Sequence, residues 1–318
     1  MAKVTVSDKI QAYTYEEPSE YNRIRAMSIA RNIMTLCRNN HIAPKNLLEI
    51  GAGDGAILKL LSEADFCPSM HAVEISATGV AIIANQGIQY LEECSLFDGY
   101  TLDYPDKYFD LIILAHVLEH VEYERTLLRE IRRVGKHVVI EVPLDYQSLA
   151  DDVCISLLPS YGHINVYLPK ILKFLLHTEG FAIIDDLLKM TDVEVLLYDN
   201  FEHSQRRRTY LSVRAFSLAY RQKTEAFYKQ SRSAQEEKAS VYTVLACEAT
   251  KQQMMRIKLN AAIAILRRDN IHQADIIIHG CKSVEDKIIL LTDILAICLA
   301  ENRNDAAEHY SELLESFK

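Results

Sequence analysis

Leu47-Leu-Glu-Ile-Gly-Ala-Gly-Asp-Gly-Ala-Ile-Leu-Lys-Leu-Leu61 is the stretch that decides the fold of this chain. It begins with a short apolar run, passes through three glycines and ends in apolar residues at helical spacing. That order predicts a strand, a tight turn and a helix. Glycine tolerates positive φ in such a turn, and without a Cβ it lets a ligand lie against the backbone.

Two acidic residues accompany this turn. The glycines alone are also typical of a plain strand-to-helix connection, and Ala56 can replace the third glycine of the dinucleotide pattern, so they do not exclude NAD. Glu49 stands two residues before Gly51. Glu74 lies near the end of the next apolar run, at the sequence distance from which an acid can reach a ribose. The acids therefore favour a cofactor site over a plain turn.

The motif Glu49-Ile-Gly-Ala-Gly-Asp-Gly55 resembles the first motif of class I S-adenosylmethionine (SAM) methyltransferases, whose form is acid-x-Gly-x-Gly-x-Gly. A second block makes the resemblance more specific. It runs from Asp98 through Leu102-Asp-Tyr-Pro-Asp106 and the apolar stretch 111–115 to His116-Val-Leu-Glu-His120, and it is similar to the small-molecule branch of that family, types 11 and 23. The family usually has Leu-Pro-Phe-Pro-Asp where this chain has Leu-Asp-Tyr-Pro-Asp. The resemblance covers roughly residues 20–248.

Alternating apolar strands and helices with short links predict an α/β, doubly wound sheet. The resemblance implies seven strands, mostly parallel, in a Rossmann-like methyltransferase fold. We expect a SAM-binding domain at 1–248 with a helical insertion at 204–237, followed by an all-α C-terminal extension of four helices at 249–318. We expect strand three to begin near residue 88, one helix to run from 116 to about 134, and strand six to lie within 181–198. Strand seven lies at 240–247 or, alternatively, at 193–198.

The resemblance implies SAM as the cofactor and a set of residues that bind it. The backbone N–H groups near Gly53 and Gly55 can hold the methionine carboxylate, while the resemblance places the ammonium near Glu49. Glu74 would accept from both ribose hydroxyls, a charge-assisted pair of hydrogen bonds. The expected cofactor-binding residues are Glu49, Gly51, Ala52, Gly53, Gly55, Glu74, Ile75, Asp98, Gly99 and Ala115, with Asp98 and Gly99 at the adenine.

Three histidines are candidates for catalysis. Methyl transfer needs an aligned nucleophile and, for a hydroxyl, a base, and histidine is the simplest base near neutral pH. His116 follows the buried strand at its carboxyl end, and His120 lies one helical turn later, so both can face one side, with Glu119 off that face. His163 lies in a loop over the same edge. Each histidine has a structural alternative, as a helix cap, a pocket lining or a packed ring, and no metal-ligand spacing stands out.

The acceptor is expected to be a small molecule or glycan precursor, methylated at a hydroxyl. Arg206-Arg-Arg208 is either the solvated start of a helix or a binding site for an anionic acceptor. Two other hypotheses stay open. One is an inactive methyltransferase-fold scaffold that works through its helical tail, and the other is an NAD enzyme.

Composition limits the partners and the compartment. The net charge of −9 and the pI of about 5.7 argue against a nucleic-acid binder. Seven scattered cysteines without a C-x-x-C pair, and an N-terminus without an apolar signal core, predict a cytoplasmic protein. The longest apolar run of the tail, 288–300, is too short and too polar to span a membrane. The tail is expected to pack as ordinary helices or to form a homodimer contact.

Overall fold

The computed structural model describes residues 14–15, 17–145, 162–199, 210–268, 270–281 and 283–317. The chain divides into two compact units between residues 248 and 249. The first unit is α/β and the second is all-α.

The first unit alternates strands and helices. Its strands are β1 (Leu47–Ile50), β2 (Met70–Glu74), β3 (Leu91–Leu96), β4 (Phe109–Ala115), β5 (Gly135–Pro143), β6 (Phe181–Lys189) and β7 (Val241–Glu248). Its helices are α1 (Glu20–Asn39), α2 (Ala56–Glu63), α3 (Ala77–Asn85), α4 (Glu124–Val134), α5 (Pro169–Thr178), α6 (Val193–Leu197), α7 (Tyr210–Tyr228) and α8 (Arg232–Lys238), with a 3₁₀ turn at Leu118–His120.

The strands form one seven-stranded sheet in the order β3-β2-β1-β4-β5-β7-β6. Strands β1 to β5 are parallel, and β7 runs antiparallel between β5 and β6. The predicted doubly wound, mostly parallel sheet is therefore confirmed. Of the two places predicted for strand seven, 240–247 is a strand, and it pairs with β6 as expected.

Alternate residues of the central strands serve the two faces of the sheet. Leu48 and Ile112 belong to the core that α4 and α5 cover, whereas Leu47 and Ile113 belong to the core under α1 and α2. Both faces are thus buried, which explains why these strands are apolar without alternation. Helices on both faces leave the carboxyl ends of the strands open for a ligand.

Two sequence predictions were wrong in detail. Residues 88–90 precede β3, because Gly87 and Tyr90 have left-handed φ values of +59° and +66° that a strand cannot contain. Residues 193–197 are the helix α6, in which Val195 is buried. The region predicted as a helical insertion, 204–237, contains two helices, α7 and α8, and Ser231 caps the start of α8. Residues 204–209, with Arg206–208, lie outside the described part of the chain.

The second unit consists of α9 (Lys251–Leu266), α10 (Ile271–His279), α11 (Val284–Ala300) and α12 (Asn304–Glu315). Thr250 and Gln253 form a reciprocal capping box at the start of α9. The four helices enclose their own core, in which Ile294 and Tyr310 are fully buried. These helices match the four that the sequence predicts for the tail.

Candidate active site

A pocket of about 1200 Å³ opens at the carboxyl ends of β1, β2, β4 and β5. The glycine-rich turn lines one part of it, and His116, His120 and His163 line another. Pockets for a single small ligand are usually about 300–1000 Å³. This pocket therefore has room for a cofactor and a second small molecule together.

The glycine-rich turn connects β1 to α2 and needs glycine for steric reasons. Gly51, Gly53 and Gly55 all have left-handed φ values, from +59° to +80°. A Cβ on Gly51 would lie 2.5 Å from Val117 Cγ2. Gly79 on α3 also packs against this turn, because its Cβ would lie 2.7 Å from the Gly53 carbonyl oxygen. The sequence analysis missed Gly79, which lies outside the glycine motif.

The backbone donors of the turn are used within the protein. The Gly53 N–H donates to Glu74 Oε2 at 2.8 Å, and the Gly55 N–H donates to the Ala52 carbonyl at 2.8 Å. The other Glu74 oxygen accepts the Ser76 N–H at 3.0 Å. This arrangement does not support the expected contact between these two N–H groups and a ligand carboxylate. It does fix the Glu74 carboxylate at the edge of the pocket.

Glu49 places a buried carboxyl group beside the turn. Its side chain is only 2% exposed, and its Oε2 atom has no hydrogen-bond partner among the described residues. Burial raises the pKa of Glu49 well above its usual value, and the neighbouring carboxylates of Glu74 and Asp54 raise it further. A cationic ligand would relieve this cost. The site therefore fits SAM, which carries an ammonium and a sulfonium, better than a dinucleotide with an anionic pyrophosphate.

Asp98 and Gly99 form the turn after β3. Asp98 Oδ1 accepts the backbone N–H groups of Tyr100 at 2.7 Å and Thr101 at 2.6 Å. These bonds outweigh the effect of burial and lower the pKa of Asp98, so its carboxylate is ionised. Asp98 and Gly99 line the pocket, as do the predicted cofactor residues Ala52, Ile75 and Ala115.

His116 does not belong to a helix, contrary to the sequence prediction. Its φ of +54° is left-handed, and the 3₁₀ turn begins only at Leu118. Its Nδ1 lies 3.4 Å from Glu119 Oε1, and its Nε2 lies 3.4 Å from Glu141 Oε1. Burial alone would lower the pKa of His116, but the two carboxylates outweigh it and raise the pKa to about 9. A ring that is protonated at neutral pH does not favour the general-base role suggested by the sequence.

Glu141 is the buried carboxylate that holds His116 from β5. Its Oε2 atom accepts hydrogen bonds from Asn32 Nδ2 at 2.9 Å and Thr243 Oγ1 at 2.6 Å. Burial alone would raise the pKa of Glu141, but His116, Thr243 and Asn32 together lower it. The sequence analysis missed this residue, although an acid inside the apolar run 138–142 is a signal that could have found it.

Glu119, His120 and His163 converge on one point of the pocket wall. Donor atoms of the three side chains all lie within 4.8 Å of one another. His120 Nδ1 contacts the Gly162 carbonyl at 3.0 Å, and burial lowers the pKa of His120, which favours the neutral ring. Glu119 was predicted to lie off the histidine face, but the 3₁₀ turn directs its side chain into the protein, where it is 1% exposed. Sequence spacing indicated no such cluster, because His163 lies 43 residues after His120.

Comparison with known families decides the identity. The sequence model of the family described as "Methyltransferase domain" matches residues 21–186, just over half of the chain. The chain belongs to this methyltransferase family. The match covers the glycine-rich turn, the 3₁₀ turn and His163, so the protein is a class I SAM-dependent methyltransferase with SAM as its cofactor.

Individual relatives of this methyltransferase are distant. Ajmaline N-methyltransferase from Rauvolfia serpentina is 30% identical over 97 residues, which span 29% of this chain and only 33% of that protein. A structure from Galdieria sulphuraria, assigned as a sarcosine dimethylglycine methyltransferase, is 13% identical with a TM-score of 0.50 and covers 71% of this chain and 86% of its own. The N-methyltransferase NodS from Bradyrhizobium japonicum, in complex with S-adenosylhomocysteine, is 16% identical with a TM-score of 0.44, covering 77% and 97%.

The described helices of the methyltransferase are short or polar by the standard of a membrane span. Among them, no helix combines the length and the apolar character that crossing a bilayer requires.

Proposed function

We propose that this methyltransferase transfers the methyl group of SAM to a hydroxyl of a small-molecule acceptor. The observation that carries the proposal is the single pocket that joins Glu49 and Glu74 at one end to the histidine cluster at the other. A ligand that fills the first end points its reactive group toward the second. An acceptor bound among the histidines would then meet the methyl group in line.

At the cofactor end, carboxylates would accept hydrogen bonds from the polar groups of SAM. The unpartnered oxygen of Glu49 would accept from the methionine ammonium. Glu74 keeps lone pairs beyond the two backbone bonds that it accepts, and these would take the ribose hydroxyls. Asp98 and Gly99 would contact the adenine from the turn after β3.

At the acceptor end, His120 has the chemistry of a base. Its contact with the Gly162 carbonyl makes Nδ1 the N–H donor, so that Nε2 carries the lone pair. A neutral imidazole can take the proton of a hydroxyl as the oxygen attacks the methyl carbon. His116, which is protonated, would instead position Glu119 and Glu141.

The charge of the pocket limits the acceptor. Carboxylates predominate among the charged residues of its described lining, and Arg25 is the only arginine or lysine there. This lining favours a neutral or cationic acceptor over the anionic one suggested by Arg206–208, which lie outside the described residues. An amine acceptor is therefore the second candidate, and the N-methyltransferase activity of the Rauvolfia serpentina relative also favours it.

We also propose that residues 1–248 form the complete catalytic domain and that 249–318 form a separate domain. A chain that ends at Glu248 should bind SAM within about twofold of the full protein. If it is folded and binds no SAM, the domain assignment is wrong. The homodimer expected from the sequence stays a prediction, which sedimentation of the full chain and of the shortened chain tests directly.

Calorimetric titration with SAM, S-adenosylhomocysteine and NADH tests the cofactor end. We expect micromolar binding of the first two, on the order of −8 kcal/mol, and no binding of NADH. Glu49→Gln should weaken SAM binding at least tenfold, whereas the exposed control Glu92→Gln should not. If the protein is folded and binds no SAM, the proposal is contradicted.

Methyl-labelled SAM tests the acceptor end, with one panel of small hydroxyl compounds and one of amines. We expect label in a hydroxyl compound, and His120→Asn should slow the transfer by about 10²- to 10⁴-fold without changing SAM affinity. Labelling confined to amines would establish the second candidate instead.

A further inference from the structure

Three side chains with metal-binding chemistry meet at the acceptor end of the pocket. Glu119 and His120 belong to the 3₁₀ turn after β4, and His163 comes from the segment that leads to α5. Glu119 Oε1 lies 4.0 Å from His120 Nε2, and the ring centroids of His120 and His163 are 4.9 Å apart. All three line the pocket, so a ligand held among them would face its interior.

Both imidazoles are oriented by an outer partner. His120 Nδ1 contacts the Gly162 carbonyl at 3.0 Å, and His163 Nδ1 contacts Asp145 Oδ2 at 2.7 Å. When Nδ1–H donates in this way, Nε2 carries the lone pair. Histidines that bind metals almost always donate their second N–H to a carbonyl or a carboxylate, which fixes the tautomer and the ring orientation.

The two segments that carry these ligands are tied together by backbone hydrogen bonds. The N–H groups of Ile164 and Asn165 both donate to the Glu119 carbonyl, at 2.9 and 3.0 Å. Asn165 Nδ2 also donates to the carbonyls of Val121 at 2.7 Å and Leu118 at 3.2 Å. His163 is thus held beside the 3₁₀ turn, as a rigid ligand set requires.

Glu119 brings buried carboxylate oxygens without hydrogen-bond partners to the cluster. Its side chain is 1% exposed, and neither carboxylate oxygen has a hydrogen-bond partner among the described residues. The protonated His116 forms an ion pair with Oε1, from which its Nδ1 lies 3.4 Å away, and it shares its charge with Glu141. Oε2 has neither a hydrogen bond nor an ion pair among the described residues. A buried carboxylate oxygen without a partner is costly, and a bound metal ion would remove that cost.

We propose that Glu119, His120 and His163 bind a divalent transition-metal ion at the acceptor end of the pocket. One carboxylate and two imidazoles suit ions such as Zn²⁺, Co²⁺ or Mn²⁺, and three protein ligands leave coordination positions open. Ligand atoms around such an ion are separated by about 3 to 3.5 Å. The donor atoms, now within 4.8 Å, would draw together by small side-chain rotations.

This inference rests on the proposed function, because the open positions would bind the acceptor hydroxyl. The bound ion lowers the pKa of that hydroxyl, and its proton leaves to a water molecule. The oxygen then forms a bond to the methyl carbon, the carbon–sulfur bond breaks, and its electron pair stays on sulfur. In the metal-bound protein, His120 is therefore a ligand, and the ion replaces it in activating the hydroxyl.

Titration of the full-length protein, first stripped with a chelator, tests the site. Zn²⁺ is followed by calorimetry, and Co²⁺ is followed by its visible absorption, which reports the coordination geometry. We expect one ion per chain at micromolar affinity or tighter. Glu119→Gln and His163→Asn should each weaken binding at least 100-fold, and Asp145→Asn should weaken it about 10- to 100-fold.

His137→Asn is the matched control, because His137 Nδ1 also contacts a carbonyl, that of Asp110, but the side chain lies outside the pocket. It should bind the ion like the native protein. SAM affinity, measured on every variant, should stay within about twofold and shows that the variants are folded. No ion binding, or binding that Glu119→Gln and His163→Asn leave unchanged, overturns the metal site and leaves the methyltransferase proposal standing. Ion binding without SAM binding overturns the proposed function alone.

Discussion

Glu74 Oε2 accepts the backbone N–H of Gly53 at 2.8 Å. The acid at the end of β2 is therefore joined to the middle of the glycine-rich turn that follows β1. Two parts of the proposed cofactor site that are 21 residues apart in sequence therefore form one hydrogen-bonded unit. A change at either residue should disturb the other.

Replacing Glu74 should separate the two contributions of this carboxylate. Glu74→Ala removes the expected ribose contacts and the bond to Gly53, and we expect SAM affinity to fall about 100-fold, or ~3 kcal/mol. Glu74→Gln keeps an oxygen for Gly53 and should lose about tenfold. Calorimetry with SAM measures both, and equal affinities of the alanine variant and the native protein would exclude Glu74 from the cofactor site.

Substitution of Gly51 should destabilise the protein more than substitution of Gly87, another glycine with a left-handed φ. Gly51→Ala combines a left-handed φ with a Cβ that lies 2.5 Å from Val117, whereas Gly87→Ala has a left-handed φ with nothing near its Cβ. We expect Gly51→Ala to lower the free energy of unfolding by about 2–4 kcal/mol and Gly87→Ala by about 1 kcal/mol. Urea unfolding compares them, and similar losses would show that Val117 moves aside.

The hydroxyl group of Thr243 should stabilise the protein through its hydrogen bond to Glu141. Thr243 is fully buried, and its Oγ1 donates to Glu141 Oε2 at 2.6 Å. Thr243→Val keeps the shape but leaves the carboxylate without this donor, which should cost about 1.5–3 kcal/mol. Thr243→Ser keeps the donor and loses one methyl group, about 1 kcal/mol. If thermal unfolding shows the valine variant to be as stable as the serine variant, the hydroxyl is not what stabilises Glu141.

Low pH should weaken the ion pairs that join α4 to the end of α5. Glu179 is ion-paired with Arg125 and, at 2.7 Å, with Arg129. Burial would raise the pKa of Glu179, but the two arginines outweigh it and lower the pKa below the usual 4.5. The stabilisation is therefore complete above about pH 5 and is lost as the pH falls through the lowered pKa.

Glu179→Gln tests this pH dependence. At pH 7 the variant should be about 1–2 kcal/mol less stable than the native protein, because it loses two charge-assisted bonds. Below pH 4 the difference should shrink as Glu179 in the native protein becomes protonated. A difference in urea unfolding that stays constant from pH 7 to pH 3 would contradict the assignment.

The parts of the fold that sequence predicted best are set by local physics. The turn at Gly51 to Gly55 needs left-handed residues, and the apolar run of β4 must be buried on both faces, so a short window suffices to find them. The alternative prediction, a strand that includes residues 193–197, was wrong for the opposite reason. Their valines favour a strand, but contacts made far along the chain place them in a helix.

The proposed acceptor end of the pocket could not be predicted from sequence in the same way. His116 adopts a left-handed backbone conformation that histidine rarely takes. The helix expected to begin at His116 therefore does not form there, and helical spacing does not relate His116 to His120. Glu119 lies in a 3₁₀ turn, and its backbone carbonyl accepts hydrogen bonds from Ile164 and Asn165, which are 45 and 46 residues away. Such convergence depends on tertiary contacts that no local pattern contains.

The position of β7 has a consequence for how the chain is made. β7 lies between β5 and β6, although it is the last of the seven described strands to leave the ribosome. Until residues 241–248 emerge, β5 has an open edge along His137 to Pro143 and β6 has no partner in the sheet. The nascent domain must therefore wait for more than 50 residues after β6, with an apolar edge strand that can mispair. We expect this interval, and not the glycine-rich turn, to be when a newly made chain most needs a chaperone.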